Sequence, residues 1–391
     1  MPSSLVIPPQ IHTFVVVSTL PNQSELKCLS VVCRKISGTF LYVEEYEKQD
    51  IPLPYSHRNR CIKRSVMKIT KENFITDQDV NRIYISSLLE KESSGFDPSV
   101  RERLVQQIRQ FDNHVELLVN TKDVWARDYM PIQLTDHVYL DYIYRPDYLH
   151  DIPQYVTNWQ VHQVHACTRK GWNFHIVHLP LLLDGGNVVK AITQTGQPCM
   201  ILCDKILKEN NITPIGFDDW WKKWWKYHFD DTSMEYVLLP WEGELLNPIG
   251  HADGIVRYVA PGRVLLTNYA DLDPKHARLL KEHLQTKGFE VEELSYLPCF
   301  DSKQDETFRS LFDHTWCYIN FLQVGTKLLV PQLGYPELDR EAVRQIKVVY
   351  HKAGIHCQVY PINLDMSPIV IMDKKNNGGG ALNCLTWTTK E

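Results

Sequence analysis

Five polar stretches recur along this sequence at nearly even intervals, each at the end of an apolar, strand-like segment. Their centres are Asp128, Asp184, His251, Asn320 and Cys384, which lie 56, 67, 69 and 64 residues apart. A fixed period indicates a repeat architecture. Each unit is longer than a solenoid repeat and combines strands with one helix, so we predict five α/β units in a ring whose strand tips converge on one axis. The alternative is an ordinary α/β protein, in which strands and helices alternate without closing.

Three of these units show the same order of helix and strand signals. Asp97-Pro98 and Asp273-Pro274 each offer an N-cap and a proline at the first helical position, ahead of apolar residues at helical spacing. A third helical segment ends at Gly354. A strand-like run follows each helix, as VELLVN, FEVEELSYL and IHCQVYPI. The sequence therefore predicts strand–helix–strand units from about residue 76 onward.

The first 75 residues precede this rhythm and carry no recognisable chemistry. Residues 15–17, 29–32 and 40–43 could form short strands among runs typical of solvated loops. A length of 391 residues would allow two or three domains, although closed repeat folds reach this size as one. We predict an N-terminal extension over residues 1–75 and an α/β propeller domain over residues 76–391.

Charge and hydropathy argue against several classes of protein. The net charge is −5 and the isoelectric point about 6.3, which leaves no basic surface for nucleic acid or an anionic membrane. No run approaches the roughly 18 apolar residues of a membrane span, and the first residues lack the basic start of a secretory signal. The ten cysteines include no C-x-x-C pair, which predicts reduced thiols in the cytoplasm.

The last polar stretch, GGGALNCLTW, contains the strongest candidate nucleophile. Its glycines, among them Gly379 and Gly380, let the backbone approach a ligand closely because they lack a Cβ atom. Cys384 follows them, and a thiolate is the best nucleophile among protein side chains. An unpaired cysteine is more often a small buried core residue. The catalytic interpretation therefore depends on a histidine and carboxylates elsewhere in the chain.

The stretches GHADG and WARD supply such partners. His251 and Asp253 are two residues apart, so in an extended segment both side chains point to one face, in an acid–base arrangement. In WARD, Asp128 could bind a cation and Trp125 could offer its aromatic face to one. Arg127 is a further candidate for substrate binding. The structural alternative is an Arg–Asp surface pair beside a core tryptophan.

The stretch LDGGN places Asp184 at the end of an apolar strand, directly before two glycines. The functional interpretation is a carboxylate aimed at the axis, where it would orient or charge the histidine. Asn187 could be a polar ligand or could simply cap the turn. The structural alternative is a tight turn, because Asp-Gly and Gly-Gly are common turn formers.

Two further patterns favour structural roles. A spacing similar to that of zinc ligands occurs at His162, His165, Cys167, His175 and His178. No C-x-x-C accompanies them, and the last two would face opposite ways in a strand, so we predict no metal site. The run DDWWKKWWKYHFDD has tryptophans at i, i+4 spacing, which predicts a helix packed on the outside or rim of the ring.

The five stretches together resemble a known family. WARDYMP, LDGGNVV, GHADGIVRYV, CYINFLQV and GGGALNCLTW occur in the order and spacing of the agmatine deiminase and bacterial-type peptidylarginine deiminase family. That family belongs to the guanidine-modifying (pentein) superfamily. The resemblance covers roughly residues 78–391, and it implies a five-fold pseudosymmetric α/β propeller of ββαβ modules with the active site on its axis.

The resemblance also implies a role for each residue of the candidate site. Cys384 corresponds to the nucleophile and His251 to the general acid–base. Asp128 and Asp253 correspond to the pair that grips the guanidinium. Asp184 stands where the wider superfamily usually has a glutamate beside the histidine, and its shorter side chain leaves the strength of that contact open. Trp125, Arg127, Asn187, Gly379 and Gly380 are the candidates for substrate binding.

The implied reaction is hydrolysis of a guanidino group to a ureido product and ammonia, through a thiouronium intermediate on Cys384. It needs neither a metal nor a cofactor. Agmatine, free arginine and peptidyl-arginine all remain open as substrates. The alternatives are amidino transfer or a dihydrolase reaction within the superfamily, and an inactive binding protein on the same scaffold. The expected partner is a small cationic guanidino compound, without nucleic acid or membrane, and a homodimer is left open.

Overall fold

A computed structural model provides the structure of the chain from residue 68 to its end, apart from six gaps, and the backbone of three strands before it. The described residues are 68–91, 96–157, 175–229, 234–243, 249–299, 306–371 and 379–391. The three earlier strands are β1 (Ile11–Ser18), β2 (Lys27–Ile36) and β3 (Thr39–Val43), and they form an antiparallel sheet in that order. They contain the three strand segments predicted for this part of the chain.

Five further three-stranded sheets share one pattern. In each of them, the first strand is antiparallel to the second and the second is parallel to the third. From the first sheet to the fifth, the strands are β18 (Thr386–Thr389), β4 (Arg82–Ser86) and β5 (Val115–Leu118); β6 (Ile132–Thr135), β7 (Val138–Ile143) and β8 (His175–Leu182); β9 (Val189–Ile192), β10 (Pro198–Cys203) and β11 (Glu235–Leu239); β12 (Val256–Ala260), β13 (Arg263–Leu266) and β14 (Glu290–Glu293); β15 (Leu322–Val324), β16 (Lys327–Val330) and β17 (Gln358–Pro361).

In the first, third, fourth and fifth sheets, helices connect the second strand to the third. The described part of this connection in the second sheet contains two 3₁₀ turns, Asp147–Leu149 and Pro153–Tyr155. Short turns precede the first strand of every sheet. The connecting helices are α1 (Pro98–Phe111), α3 (Lys205–Glu209), α4 (Pro214–Phe229), α5 (Tyr269–Leu272), α6 (Pro274–Gln285) and α8 (Pro336–Lys352), with α7 (Glu306–Phe312) and α9 (Ser367–Val370) between sheets. The turns before the first strands, called the tip turns below, are α2 (Ala126–Tyr129), the 3₁₀ turns Gly185–Asn187, Ala252–Gly254 and Thr315–Ile319, and α10 (Leu382–Leu385).

The predicted helix starts are confirmed. Asp97 accepts hydrogen bonds from two backbone N–H groups at the start of α1, and Asp273 does the same at the start of α6. Each is followed by proline at the first helical position, where a missing N–H costs no hydrogen bond. α1 and α6 thus begin in the same way, and each connects the second strand of its sheet to the third.

The ring closes through the two ends of the described chain. β18, the last strand, pairs with β4, the first strand of the ring, so the first sheet holds both. The tip turns contact one another in a cycle, from α2 through the three 3₁₀ turns to α10 and back to α2. The fold is therefore a five-fold α/β propeller of ββαβ modules, as the spacing and the resemblance predicted.

The tryptophan-rich run forms α4, whose apolar side packs against the second and third sheets. Trp221, Trp224 and Trp225 are buried in one cluster with residues of β7, β8 and β10. The prediction of a packing helix is confirmed. Among the described helices, none is both long and apolar enough to cross a membrane.

Candidate active site

The tip turns bring five predicted side chains to one place on the axis. Asp128 lies in α2 and Cys384 in α10. Asp184 and His251 each stand directly before a 3₁₀ turn, and Asp253 lies within the second of these turns. All five are buried, with relative exposures of 2–4%. Residues separated by up to 256 positions in the sequence thus share one enclosed, polar centre.

Each tip turn is bound to the next by a hydrogen bond. The Gly186 N–H donates to Asp128 Oδ1 (3.2 Å), and His251 bonds Asp184 (2.8 Å). The cycle continues across the last three turns: Asn320 Nδ2 donates to the Asp253 carbonyl (3.3 Å), the Asn383 N–H donates to Asn320 Oδ1 (3.1 Å), and Arg127 Nη2 donates to Asn383 Oδ1 (3.1 Å). The relative placement of the site residues is therefore fixed by direct contacts between turns.

His251 lies between two carboxylates. Its Nε2 is 2.8 Å from Asp184 Oδ2, and its Nδ1 is 3.6 Å from Asp128 Oδ1. Burial alone would lower the pKa of His251, but Asp128 and Asp184 outweigh it and raise that pKa to about 9. The imidazole is thus protonated at neutral pH and can give a proton to a departing group. Although aspartate is shorter than glutamate, Asp184 Oδ2 lies within hydrogen-bond distance of His251 Nε2.

Cys384 faces the other carboxylate of the site. Its thiol donates to Asp253 Oδ2 over 3.6 Å, and Asn383 Nδ2 donates to the same oxygen over 2.7 Å. The other oxygen, Asp253 Oδ1, is buried and has no hydrogen-bond partner within the described part of the chain. A buried carboxylate oxygen is costly to leave unpaired, so it is suited to a cationic ligand.

The site holds more negative than positive groups, which favours the binding of a cation. Three carboxylates surround one imidazole. Burial raises the pKa of Asp128 to about 8, with smaller contributions from Asp184 and Asp253 that His251 partly offsets. Burial, followed by the charges of Asp253 and Asp128, raises the pKa of the Cys384 thiol well above its usual value. A bound cation would favour the ionised forms of both groups.

Gly186 is the point of closest approach between the tip turns. A Cβ at this position would lie 2.5 Å from Asp128 Oδ1 and 2.6 Å from His251 Nδ1. Only a residue without a side chain leaves these two groups in place. The second glycine of LDGGN is thus required by the site and not by the turn alone.

The predicted substrate-binding residues near Cys384 lie beside the site. A Cβ at Gly380 would come within 2.3 Å of the Trp125 ring, so the half-buried indole packs directly on this glycine. Gly379 has a φ of +123°, a conformation that favours glycine, and its N–H donates to the Ile369 carbonyl. These contacts support the loop before Cys384, and substrate binding by Trp125, Gly379 and Gly380 stays a prediction.

Two other predicted binding residues direct their polar groups toward the protein. Asn187 exchanges two hydrogen bonds with the backbone of Cys203, so its side chain joins the tip turn to the end of β10. Arg127 donates to the carbonyl and side chain of Asn383 and to Thr388 Oγ1 (3.4, 3.1 and 3.2 Å). Direct binding of substrate by either side chain stays a prediction.

Two asparagines that the sequence analysis did not select belong to the site. Asn320 Oδ1 accepts from the backbone N–H groups of Asn383 and Cys384 (3.1 and 3.2 Å), which holds the start of α10. Asn383 contacts Asp253 directly. A signal for Asn320 was present, since it is one of the five evenly spaced polar centres. Asn383 precedes the cysteine, but nothing in its own motif indicates a partner 130 residues away.

The histidine-rich stretch that resembles a zinc site falls largely outside the described residues. His162, His165 and Cys167 lie there. His175 and His178 are on β8, where His178 Nδ1 is 3.7 Å from Asp141 Oδ2. Within the described residues, no group of three or more histidine, cysteine, aspartate or glutamate side chains is arranged to hold a metal ion.

This fold and site define a class of proteins: α/β propellers that place a cysteine, a histidine and carboxylates on the axis. The family profile of the Porphyromonas-type peptidyl-arginine deiminases matches residues 45–389. The match covers most of the chain, and the chain therefore belongs to this family.

The chain is similar to several characterised or named proteins. A provisionally named agmatine deiminase of Legionella pneumophila is 29% identical over 229 residues, which are 54% of this chain and 56% of that protein. The chain thus spans about half the length of the curated relatives it matches.

Solved structures share the fold at low sequence identity. The C. jejuni agmatine deiminase superimposes with a TM-score of 0.55 and 15% identity over 82% of this chain and 96% of that one. The agmatine deiminase of Enterococcus faecalis gives 0.54 and 16%, over 84% and 99%. These similarities support the propeller fold.

Proposed function

We propose that this protein hydrolyses a guanidino group to a ureido product and ammonia, with Cys384 as nucleophile. The observation that carries the proposal is the enclosed group of three carboxylates, one protonated imidazole and one thiol. Such a site has an excess of negative charge, and it places a thiol beside Asp253, whose Oδ1 has no partner among the described residues. A guanidinium is planar and cationic, and two carboxylates can hold it through paired hydrogen bonds.

Asp128 and Asp253 hold the cation, and its charge lowers the pKa of the Cys384 thiol, whose proton passes to solvent as the thiolate forms. The thiolate attacks the central guanidinium carbon and forms a C–S bond. His251 gives its proton to one nitrogen, which leaves as ammonia, and a thiouronium remains on the sulfur. The neutral His251 then takes a proton from water, and the hydroxide attacks the same carbon. The C–S bond breaks, the hydroxyl proton passes to the Cys384 sulfur, and the ureido product is released. Asp184 holds the imidazole in place through its Nε2.

The substrate we propose is a small guanidino compound, and the relatives' names make agmatine the first to test. Ammonia and ureido product should be measured together for agmatine, free arginine and an arginine peptide. One ammonia per ureido product supports the proposal. Two ammonias would indicate a dihydrolase, and an amidino product formed only with an added amine would indicate a transferase. Cys384→Ser is the matched control, because it should abolish turnover while leaving the carboxylates that hold the cation.

The remaining proposals concern the surroundings of the site. We propose that residues 76–391 carry the activity and that residues 1–75 are an extension of another role, which a chain starting at residue 68 would test by ammonia release. The cytoplasm is the proposed location, because none of the six described cysteines forms a disulfide. A homodimer is the proposed assembly to examine by sedimentation.

A further inference from the structure

We propose that Arg127 is a positioning residue, which acts through Asn383 to hold Asp253 in the orientation that receives the substrate cation. The proposal rests on the function proposed above and concerns the same site. It replaces direct substrate contact by Arg127 with a chain of hydrogen bonds that ends at a carboxylate.

The first part of the chain joins Arg127 to Asn383. The guanidinium donates to Asn383 Oδ1 through Nη2 (3.1 Å) and to the Asn383 carbonyl through Nε (3.4 Å). The donors of one rigid guanidinium thus reach two oxygens of the same residue, one in its side chain and one in its backbone. The Asn383 amide thereby has one orientation, with its oxygen toward Arg127 and its nitrogen away from it.

The second part joins Asn383 to Asp253. Because its oxygen is bound to Arg127, the Asn383 side chain presents Nδ2, which donates to Asp253 Oδ2 over 2.7 Å. The Cys384 thiol approaches the same oxygen. Asp253 Oδ1 is then the oxygen that remains for a ligand, and within the described residues it has no other partner. An Asn383 amide turned the other way would place oxygen against oxygen and repel the carboxylate.

The arrangement explains why an arginine stands in a site built for a guanidinium. Arg127 is itself a guanidinium, but its donors are directed at Asn383 and Thr388. Arg127 is therefore not among the side chains that hold the ligand, and its guanidinium does not occupy the place of the substrate.

The test compares Arg127→Met, Asn383→Leu and the double variant with agmatine as the probe. Loss of a hydrogen bond to a charged group predicts a fall in kcat/KM of about 10- to 100-fold for Asn383→Leu, mainly through KM. Arg127→Met should fall by a similar or smaller factor. If Arg127 acts through Asn383, the double variant should lie within about twofold of Asn383→Leu. Factors that multiply would overturn the proposal.

Thr388→Val is the matched control. It removes the third contact of Arg127, to Thr388 Oγ1 (3.2 Å), and leaves the contact between Asn383 and Asp253 untouched. Its kcat/KM should stay within about threefold of the wild type. A loss as large as that of Arg127→Met would show that Arg127 braces the sheet, and would overturn the proposal.

Crystal structures of Arg127→Met and Asn383→Leu separate this proposal from the proposed function. A rotated Asp253 carboxylate in both variants supports the positioning role. If the wild type releases no ammonia, that result contradicts the proposed function and leaves the positioning role standing. An unchanged carboxylate in either variant would contradict the positioning role, whatever the activity of the wild type.

Discussion

At the scale of the residue, burial decides which protons the site holds. The three carboxylates and the thiol are all within 4% exposure, so their ionised forms are costly unless an opposite charge is near. His251 supplies one such charge, and it lies closest to Asp184 and Asp128. His251 only partly offsets the burial of Asp128, and burial also raises the pKa of Cys384. At neutral pH the free protein therefore keeps protons on Asp128 and Cys384. A cationic ligand would exchange its charge for those protons, so its binding is coupled to pH.

The coupling predicts the pH dependence of agmatine binding. Asp128 must lose its proton before it can hold a cation, and its pKa is raised to about 8. Its ionised fraction, and with it the affinity, should rise about tenfold between pH 6 and 7 and level off above pH 8. His251 stays protonated across this range, because its pKa is about 9. Calorimetric titration of Cys384→Ser measures the affinity without turnover.

Asp128→Asn in the same Cys384→Ser background is the control for this dependence. It cannot ionise, so binding should be weaker and nearly independent of pH from 6 to 8. In the parent, buffers of different ionisation enthalpy should show release of close to one proton at pH 7. An affinity that does not change from pH 6 to 8 would mean that Asp128 is ionised in the free protein.

Among the elements of the fold, the tip turns bring side chains together on the axis, which longer helices and strands cannot do. Each turn is three to five residues long and ends where the first strand of its sheet begins, so the side chains meet across the axis. The turns also leave little room. Gly186 illustrates this limit, because its backbone lies against the side chains of Asp128 and His251.

Gly186→Ala should therefore lower kcat/KM strongly while leaving the fold intact. The added methyl group would meet Asp128 Oδ1 and His251 Nδ1 at 2.5 and 2.6 Å, so both side chains must shift. A misplacement of about 1 Å at reacting groups costs about 100-fold in rate. Gly254→Ala is the control, since its Cβ would be 3.6 Å from Trp316, an ordinary contact. Equal losses in both variants, measured by ammonia release, would contradict this account.

The elements also show how far the sequence could predict the site. The histidine, the cysteine and the three aspartates were identifiable because each lies in a motif with its own spacing. The roles of Asn320 and Asn383 depend on contacts between turns 63 and 130 residues apart, and no single motif contains such a pair. For the same reason, the sequence suggested substrate binding for Arg127, whereas the structure directs its donors to Asn383.

At the scale of the whole molecule, the ring depends on its closing strand. β18 begins two residues after Cys384 and pairs with β4, so the proposed nucleophile and the closure of the propeller lie close together in the sequence. The even spacing of the polar centres predicted this ring, because a closed fold of equal units has equal path lengths between tips. The sequence did not predict that the first sheet combines the two ends of the ring. Its strands β4 and β5 precede the first polar centre, Asp128, whereas its strand β18 follows the last one, Cys384.

Trp387 is the side chain that secures the closure. It is 4% exposed, its ring centroid is 4.9 Å from that of Tyr84 on β4, and its Nε1 donates to the Pro131 carbonyl (2.8 Å). Trp387→Ala should lower the free energy of unfolding by about 3–5 kcal/mol. Urea denaturation measures the change. Tyr227→Ala is the control, because Tyr227 is 63% exposed, and it should have almost no effect. Equal stability of the two variants would mean that β18 is dispensable for closure.

The proposed reaction requires that Cys384 form a covalent bond with the guanidino carbon during turnover. The most direct measurement is peptide mass spectrometry of the protein stopped in acid while it turns over agmatine. We expect the peptide that contains Cys384 to carry the mass of the substrate less one ammonia, and Cys384→Ser to carry none. Turnover of the same substrate with Cys384 unmodified and the adduct on another cysteine, or undiminished turnover by Cys384→Ser, would contradict the account.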